Sequence, residues 1–266
     1  MLHDLSVRVI EPDVAEVLAF CAEDPIERVF LEDVARRGIG RFKAIRGRAG
    51  LRALCHVGAN VVPSGRRCGD FARAVRDGSA RARMIIGEEQ AVDELWEAVC
   101  AALPPPRDDR PGQPVFVIRE PPELGGTALR AATPADYDLL LPACAAAHRE
   151  ELGVDPLERD GDSFRWRTGV QIDDGRSWVW IDGDTILFKA EASAWTPTAV
   201  QIQQVWVDPE VRNRGHAQRG MRDLCRYLLD QVAAVTLFVR PENAAAIRVY
   251  EAIGMERAMS YRSLIF

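Results

Sequence analysis

Hydrophobic and polar positions follow a strand–helix rhythm along the first hundred residues. Leu5 to Ile10 alternates with period two and predicts a short strand, and Pro12 opens a helix carrying Val14, Val17, Leu18 and Cys21. Leu51 to Val62 reads as a second strand, Asp70 to Arg76 as a helix, and Arg83 to Ile86 as a further strand. Glu88 to Leu103 places Val92, Leu95, Trp96 and Val99 at helical spacing. The run LPPPRDDRPGQP, Leu103 to Pro114, then breaks the pattern; its prolines and charges read as a linker.

Beyond that break the pattern is sharper. Ala128 to Ala132 reads as a strand, and Thr133-Pro134-Ala135-Asp136 as a helix start, with the helix running to about Glu151 and stopping at Gly153. Phe164 to Ile172 is a second helix. Trp178–Ile181 and Ile186–Ser193 flank Asp182-Gly183-Asp184, a hairpin signal. In the next strand, Val200 and Ile202 share one parity while Val205 and Val207 share the other. Side chains alternate with period two, so a face changes parity only through an extra residue. A β-bulge at Gln203-Gln204 is predicted, which turns a backbone N–H out of the ladder.

Asp208-Pro209 ends that strand. Arg212-Asn213-Arg214-Gly215-His216-Ala217 leads into a helix with Ala217, Met221, Leu224, Cys225, Leu228 and Val232 on one face. A small-residue loop entering a helix start aims several free N–H groups, and the positive end of the dipole, at one place. That is chemistry suited to a pyrophosphate; the same residues also suit an ordinary Arg-rich turn. Val235 to Val239 is another strand, and Asn243 to Ile253 a helix closed by Gly254. Asn243 and Tyr250 stand seven residues apart, two turns along one face.

Composition narrows the class. A net charge of −6 with 47% hydrophobic residues describes an ordinary globular protein. Neither half is basic, which leaves nucleic-acid binding without an electrostatic footprint. The exception is Arg36 to Arg52, with seven basic residues and no acidic one; it reads as a solvated loop and strand edge, or else as an anion site. Cys21, Cys55, Cys68, Cys100, Cys144 and Cys225 form no metal-like spacing with the histidines, so no metal is expected. No secretory signal and no run of ~20 apolar residues is evident, and a cytoplasmic protein without membrane association is expected.

The second half resembles the GNAT superfamily of acyltransferases. Its R/Q-x-x-G-x-G/A element after a bulged strand is matched by Arg212, Gly215 and Ala217, and its N-x-x-A-x-x-x-Y element by Asn243, Ala246 and Tyr250. Gly254-Met255 resembles the Gly-aromatic pair that follows. The segment Ala53 to Pro63 is similar to an actinobacterial subgroup with an extra N-terminal domain of uncharacterised role. The resemblance implies an α/β (α+β) chain of two domains: residues 1–103, an α/β unit that reads as a degenerate GNAT-like repeat; 104–124, a linker and first strand; and 125–266, a GNAT fold with a mixed, splayed sheet flanked by helices.

It also implies acetyl transfer from acetyl-CoA to a primary amine on a small molecule or peptide. Val205, Trp206 and Val207 would hold the pantetheine arm and polarise the thioester. Arg212, Asn213, Arg214, Gly215, His216, Ala217 and Gln218 would hold the pyrophosphate, with Asn243 also at the cofactor, and Tyr250 would protonate the thiolate. The fourth strand offers Gln201, Gln203 and Gln204 but no Glu, so Glu191, flanked by Lys189 and alanines, is the expected base with a raised pKa; the other reading is a partner of Lys189. Glu150 and Glu151 are further candidates. His148 and His216 read as packing or surface residues, and Trp166, Trp178, Trp180 and Trp195 as core. Two rivals remain: a non-catalytic acyl-CoA-binding module, and a tandem acetyltransferase resembling mycothiol synthase. Oligomeric state is not legible.

Overall fold

The computed structural model describes residues 8–48, 50–78 and 82–266. In chain order the elements are β1 (Val9–Ile10), α1 (Val14–Ala22), α2 (Val29–Arg36), β2 (Arg41–Arg46), β3 (Leu51–Val57), β4 (Asn60–Gly65), α3 (Ala72–Gly78), β5 (Met84–Glu88), α4 (Glu89–Val99) and β6 (Asp108–Ile118). They continue as β7 (Arg130–Ala131), α5 (Tyr137–Leu152), α6 (Pro156–Asp173), β8 (Ser177–Asp182), β9 (Thr185–Trp195), β10 (Ala199–Trp206), α7 (His216–Leu229), β11 (Ala234–Phe238), α8 (Ala244–Ala252) and β12 (Glu256–Ile265). Contacts divide the chain into two units that are not sequential. One comprises Met1–Phe116, Phe238–Asn243 and Arg257–Phe266; the other comprises Val117–Leu237 and Ala244–Glu256.

In the first unit β1, β2, β3 and β4 pair antiparallel in turn, β4 pairs β5 in parallel, and β5 pairs β12 antiparallel. Alternating side chains of this sheet feed two cores. Ile45, Ala53 and Cys55 pack with Phe71, Val75, Val92 and Leu95 from the α3–α4 side. Ala44 and Leu54 pack with Val17, Phe20 and Leu31 from α1 and α2. The basic run around β2 is balanced by acids: Arg36 pairs with Glu32, Arg37 with Asp33, Lys43 with Glu11 and Arg46 with Glu16.

Several local expectations change. Residues 5–7 of the first expected strand lie outside the described residues. The Leu51–Val62 segment is two strands, β3 and β4, turning at Gly58-Ala59. The Leu103–Pro114 linker contains most of β6, despite Pro111 and Pro114. Its prolines stand on either side of Gly112, whose φ is +65. Pro114 still serves the backbone network, because its carbonyl accepts from the Val239 N–H at 3.3 Å.

In the second unit β7, β8, β9 and β10 pair antiparallel in turn and β10 pairs β11 in parallel. The β8–β9 hairpin closes at Asp182↔Thr185 around Gly183, whose φ is +56. Leu140, Ala143, Ala147 and Ile172 of α5 and α6 pack on Val179, Ile186 and Trp206. On α7, Met221, Leu224, Cys225 and Leu228 are buried along one face. That helix lies close to β9: a Cβ on Gly220 would stand 2.3 Å from the Phe188 ring.

Helix α6 begins earlier than expected and kinks at Asp160, where φ is −158 and ψ is 62. Its buried residues are Pro156, Phe164, Thr168 and Ile172. Phe164, Thr168 and Ile172 share a stripe at i, i+4, i+8, so Trp166 points away and is 69% exposed, not core. The two series, β1-α1-α2-β2-β3-β4-α3-β5-α4-β6 and β7-α5-α6-β8-β9-β10-α7-β11-α8-β12, repeat one element order. In both, the fourth strand pairs in parallel with the fifth.

Candidate functional site

The β10–β11 ladder covers Ala199↔Ala234, Val200↔Val235 and Gln201↔Thr236. Two residues further along, β10 slips against β9. Gln203 pairs with Glu191 and Trp206 with Lys189, so three steps on β10 oppose two on β9. Gln204 carries the strain at φ +53. The parity break of the sequence is thus a bulge between Gln203 and Trp206. Trp206 turns into the α5–α6 core, while Gln203 is exposed.

The chain then crosses a short 3-10 turn, Pro209–Val211, capped by Asp208, to the start of α7. Gly215, at φ +81, is the N-cap residue, with no side-chain cap bond and no acid in the first turn. The leading N–H groups of α7 are therefore left without a side-chain acceptor, at the positive end of a fourteen-residue helix. A Cβ at Gly215 would meet nothing within 4 Å, so the ground before these amides is open.

Three side chains, Arg212, Trp206 and Gln204, fix the loop and the bulge. Arg212 Nη2 donates to both oxygens of Glu150, at 2.8 and 2.9 Å, and its Nε donates to the Val207 carbonyl at 3.0 Å. Trp206 Nε1 donates to Glu150 Oε1 at 3.2 Å. Gln204 Nε2 donates to Glu151 Oε2 at 2.9 Å. The end of α5 thereby grips the bulge and the loop. Helix α7 is held from its other side by residues 122–127. Asp223 accepts from the Gly125 and Thr127 amides at 2.7 and 2.8 Å, and Arg219 donates to the Gly125 and Gly126 carbonyls at 2.9 and 2.7 Å. Sequence reasoning missed this strap; the Gly125-Gly126-Thr127 run was its only trace.

Tyr250 sits on α8, only 6% exposed. Burial, with Glu151 and Cys225 nearby, pushes its hydroxyl well above the ordinary phenol range. It is therefore a protonated donor at neutral pH. Asn243 directly precedes α8, and its amide donates to the Arg240 carbonyl at 3.0 Å. His216 packs edge-on to Trp180 at 5.1 Å, and burial with Arg219 and Arg214 lowers its pKa.

Residues 141–255 match the family model described as Acetyltransferase (GNAT) family. The C-terminal part of the chain is a GNAT acetyltransferase domain. Residues 40–140 match a model described as a domain of unknown function, DUF4081. No curated protein sequence matches the chain significantly. Among solved structures, a GNAT acetyltransferase from Colwellia psychrerythraea is similar over 98% of this chain and 99% of its own, at 11% identity and TM-score 0.59. A GCN5-related N-acetyltransferase from Sphaerobacter thermophilus covers 99% and 96%, at 17% identity and TM-score 0.58. A tandem GNAT protein of the clavulanic acid biosynthesis pathway covers 97% and 98%, at 13% identity and TM-score 0.55. At such identities the likeness is one of fold, and it extends along both units. The chain is an acyltransferase by its GNAT domain, with a GNAT-like layout repeated in the first unit.

The GNAT domain corrects one expectation about its base. Glu191 is 8% exposed, and its Oε1 accepts from Lys189 Nζ at 2.8 Å and from Cys144 Sγ at 3.2 Å. Burial alone would raise its pKa, but the Lys189 charge and the bonds to it hold the carboxyl below its usual range. It is an ionised, paired acid, not a proton acceptor poised near neutrality. The signal was present in the sequence: Lys189 and Glu191 are two apart on one strand and so share a face.

The first unit treats the equivalent helix start differently. The Cys68 amide, at the turn into α3, donates to Glu94 Oε2 of α4 at 2.8 Å. Asp70 adds an acid in that first turn. Ala53↔Gly65 to Val57↔Val61 of β3 and β4 pair without a slip.

Among the described residues no helix is long and apolar enough to cross a membrane. No group of three or more His, Cys, Asp or Glu side chains could hold a metal there.

Proposed function

We propose that the GNAT domain transfers the acetyl group of acetyl-CoA to a primary amine. The observation that carries this reading is the run from the β10 bulge to the uncapped, Gly215-led start of α7. It brings a bulged strand and an anion-seeking helix end onto one stretch of chain. The amides of Arg212 to Gln218 take the pyrophosphate. Amides at Val205 to Val207 take the pantetheine arm and the thioester carbonyl, where negative charge develops during attack. Asn243 completes the cofactor contacts.

The chemistry then balances with two protein groups. The acceptor ammonium gives a proton to a base, and its nitrogen forms a bond to the carbonyl carbon. The C–S bond breaks, the leaving thiolate takes the proton of Tyr250, and the second proton of the acceptor nitrogen passes to the tyrosinate and restores it. We assign the base to Glu151 instead of Glu191. Glu151 is exposed, it accepts from the bulge residue Gln204, and its charge is felt by Tyr250. The acceptor is a small-molecule or peptide amine, and the cytoplasm is the proposed setting.

The test is CoA release from acetyl-CoA with a panel of primary amines and without them. Amine-stimulated release, lost in Glu151→Gln and kept in a chain with intact Glu151, supports the reading. Tight acetyl-CoA binding without release under any amine makes the domain a binding module instead.

A further inference from the structure

A buried charged cluster lies in the GNAT domain beside the bulge, and the chemistry above makes no use of it. Lys189 is fully buried, and Cys144 and Glu191 are 4% and 8% exposed. Lys189 Nζ donates to Glu191 Oε1 at 2.8 Å and to Cys144 Sγ at 3.1 Å, while Cys144 Sγ donates to the same carboxylate oxygen at 3.2 Å. Stability does not account for such a group. Two charges taken out of water recover little net free energy, and replacing a buried ion pair by apolar residues of similar size is often neutral or stabilising.

Its place in the sheet offers an account. Lys189 and Glu191 are the two β9 residues that stand opposite Trp206 and Gln203, the residues on either side of the bulge. Apolar packing is non-directional and leaves a slipped ladder free to slip elsewhere. Three mutual hydrogen bonds are directional and hold one geometry. The third member, Cys144, is on α5, the helix whose Glu150 and Glu151 grip Arg212, Trp206 and Gln204. We propose that Lys189, Glu191 and Cys144 are positioning residues. By locking β9 and α5 together opposite the bulge, they set where the bulge amides and the α5 acids point. Their effect on rate rests on the acetyl-transfer reading of this domain; their effect on the bulge does not.

The test is the double variant Lys189→Met/Glu191→Leu, which removes both charges and keeps the volume. It should fold with a Tm at or above that of the wild type and bind CoA within about twofold of it. The pyrophosphate loop lies outside the cluster. Its kcat should fall by about tenfold to a hundredfold at constant KM for acetyl-CoA, the cost of an ångström-scale misplacement of reacting groups. Cys144→Ala, which leaves the ion pair whole, should lower kcat several-fold in the same way. Full kcat in a folded double variant, or weakened CoA binding with kcat retained, overturns the proposal. Amide NMR shifts of Gln204, Val205 and Trp206 give a readout independent of turnover. They should move in both variants, and unmoved shifts also overturn it. A wild type without CoA binding or turnover would refute the acetyl-transfer reading, and those shifts would still decide the role of the cluster.

Discussion

Replacing Tyr250 by Phe keeps a ring that is 94% buried by its surroundings and deletes only the hydroxyl. If that hydroxyl protonates the leaving thiolate, its worth appears in the transition state and not in the bound ground state. One positioned acid contributes roughly 10²-fold or somewhat more, about 2.7 kcal/mol of barrier at 10². Loss of one hydroxyl from a packed site costs about 1 kcal/mol of stability. The expected phenotype is therefore separable: acetyl-CoA affinity unchanged, Tm slightly lower, and kcat down about a hundredfold or more. The pH profile adds a second reading. Burial, with Glu151 and Cys225, raises the Tyr250 pKa, and a general acid works only while protonated. The wild-type rate should then show no alkaline loss from this group at pH 7–9. Steady-state kinetics of both proteins with any accepted amine are the assay. Full activity in the Phe variant would remove Tyr250 from the mechanism and assign the proton to solvent or another side chain.

Two further outcomes follow from packing and charge. Gly220→Ala gains helix propensity of up to about 1 kcal/mol, but its Cβ would stand 2.3 Å from the buried Phe188 ring. Overpacking should win, with a net loss of about 1–3 kcal/mol in urea unfolding; a more stable Ala variant would show that α7 shifts freely. Glu27 titrates at about 7, raised by burial from 4.5 against the pull of Arg28. A raised carboxyl pKa means the folded state holds the extra proton between these values. The stability that Glu27 contributes should therefore be fully present at and below about pH 4.5 and be lost as pH rises to about 7, by at most about 3 kcal/mol. Glu27→Gln should flatten that slope, and an identical slope in the variant would clear Glu27 of it.

What the sequence made legible was local. The parity break between Ile202 and Val205 foretold the bulge, because a two-residue period leaves no other way to keep both pairs of valines and isoleucine inside. Gly153, Gly183 and Gly254 marked turns that do take positive φ. Partnerships between distant segments were not legible. Nothing local in Glu256–Ile265 says that it will pair with Met84–Glu88, and Asp108–Ile118 hid a strand behind two prolines. Burial of Lys189 was equally hidden, since its partner Cys144 is forty-five residues away. The short α2 escaped for a different reason: Glu32 and Asp33 are buried against Arg36 and Arg37, so its charges disguise an inward face.

The proposed acetyl transfer requires a single CoA site on the GNAT domain, at the Gly215 helix start. The first unit has already given its corresponding Cys68 amide to Glu94. Calorimetric titration of acetyl-CoA into the wild type and Gly215→Glu tests this most directly. The variant sets a carboxylate at a φ +81 position, before the open amides of α7. One equivalent should bind per wild-type chain, with no measurable binding to the variant. Two equivalents, or undiminished affinity in Gly215→Glu, would contradict it.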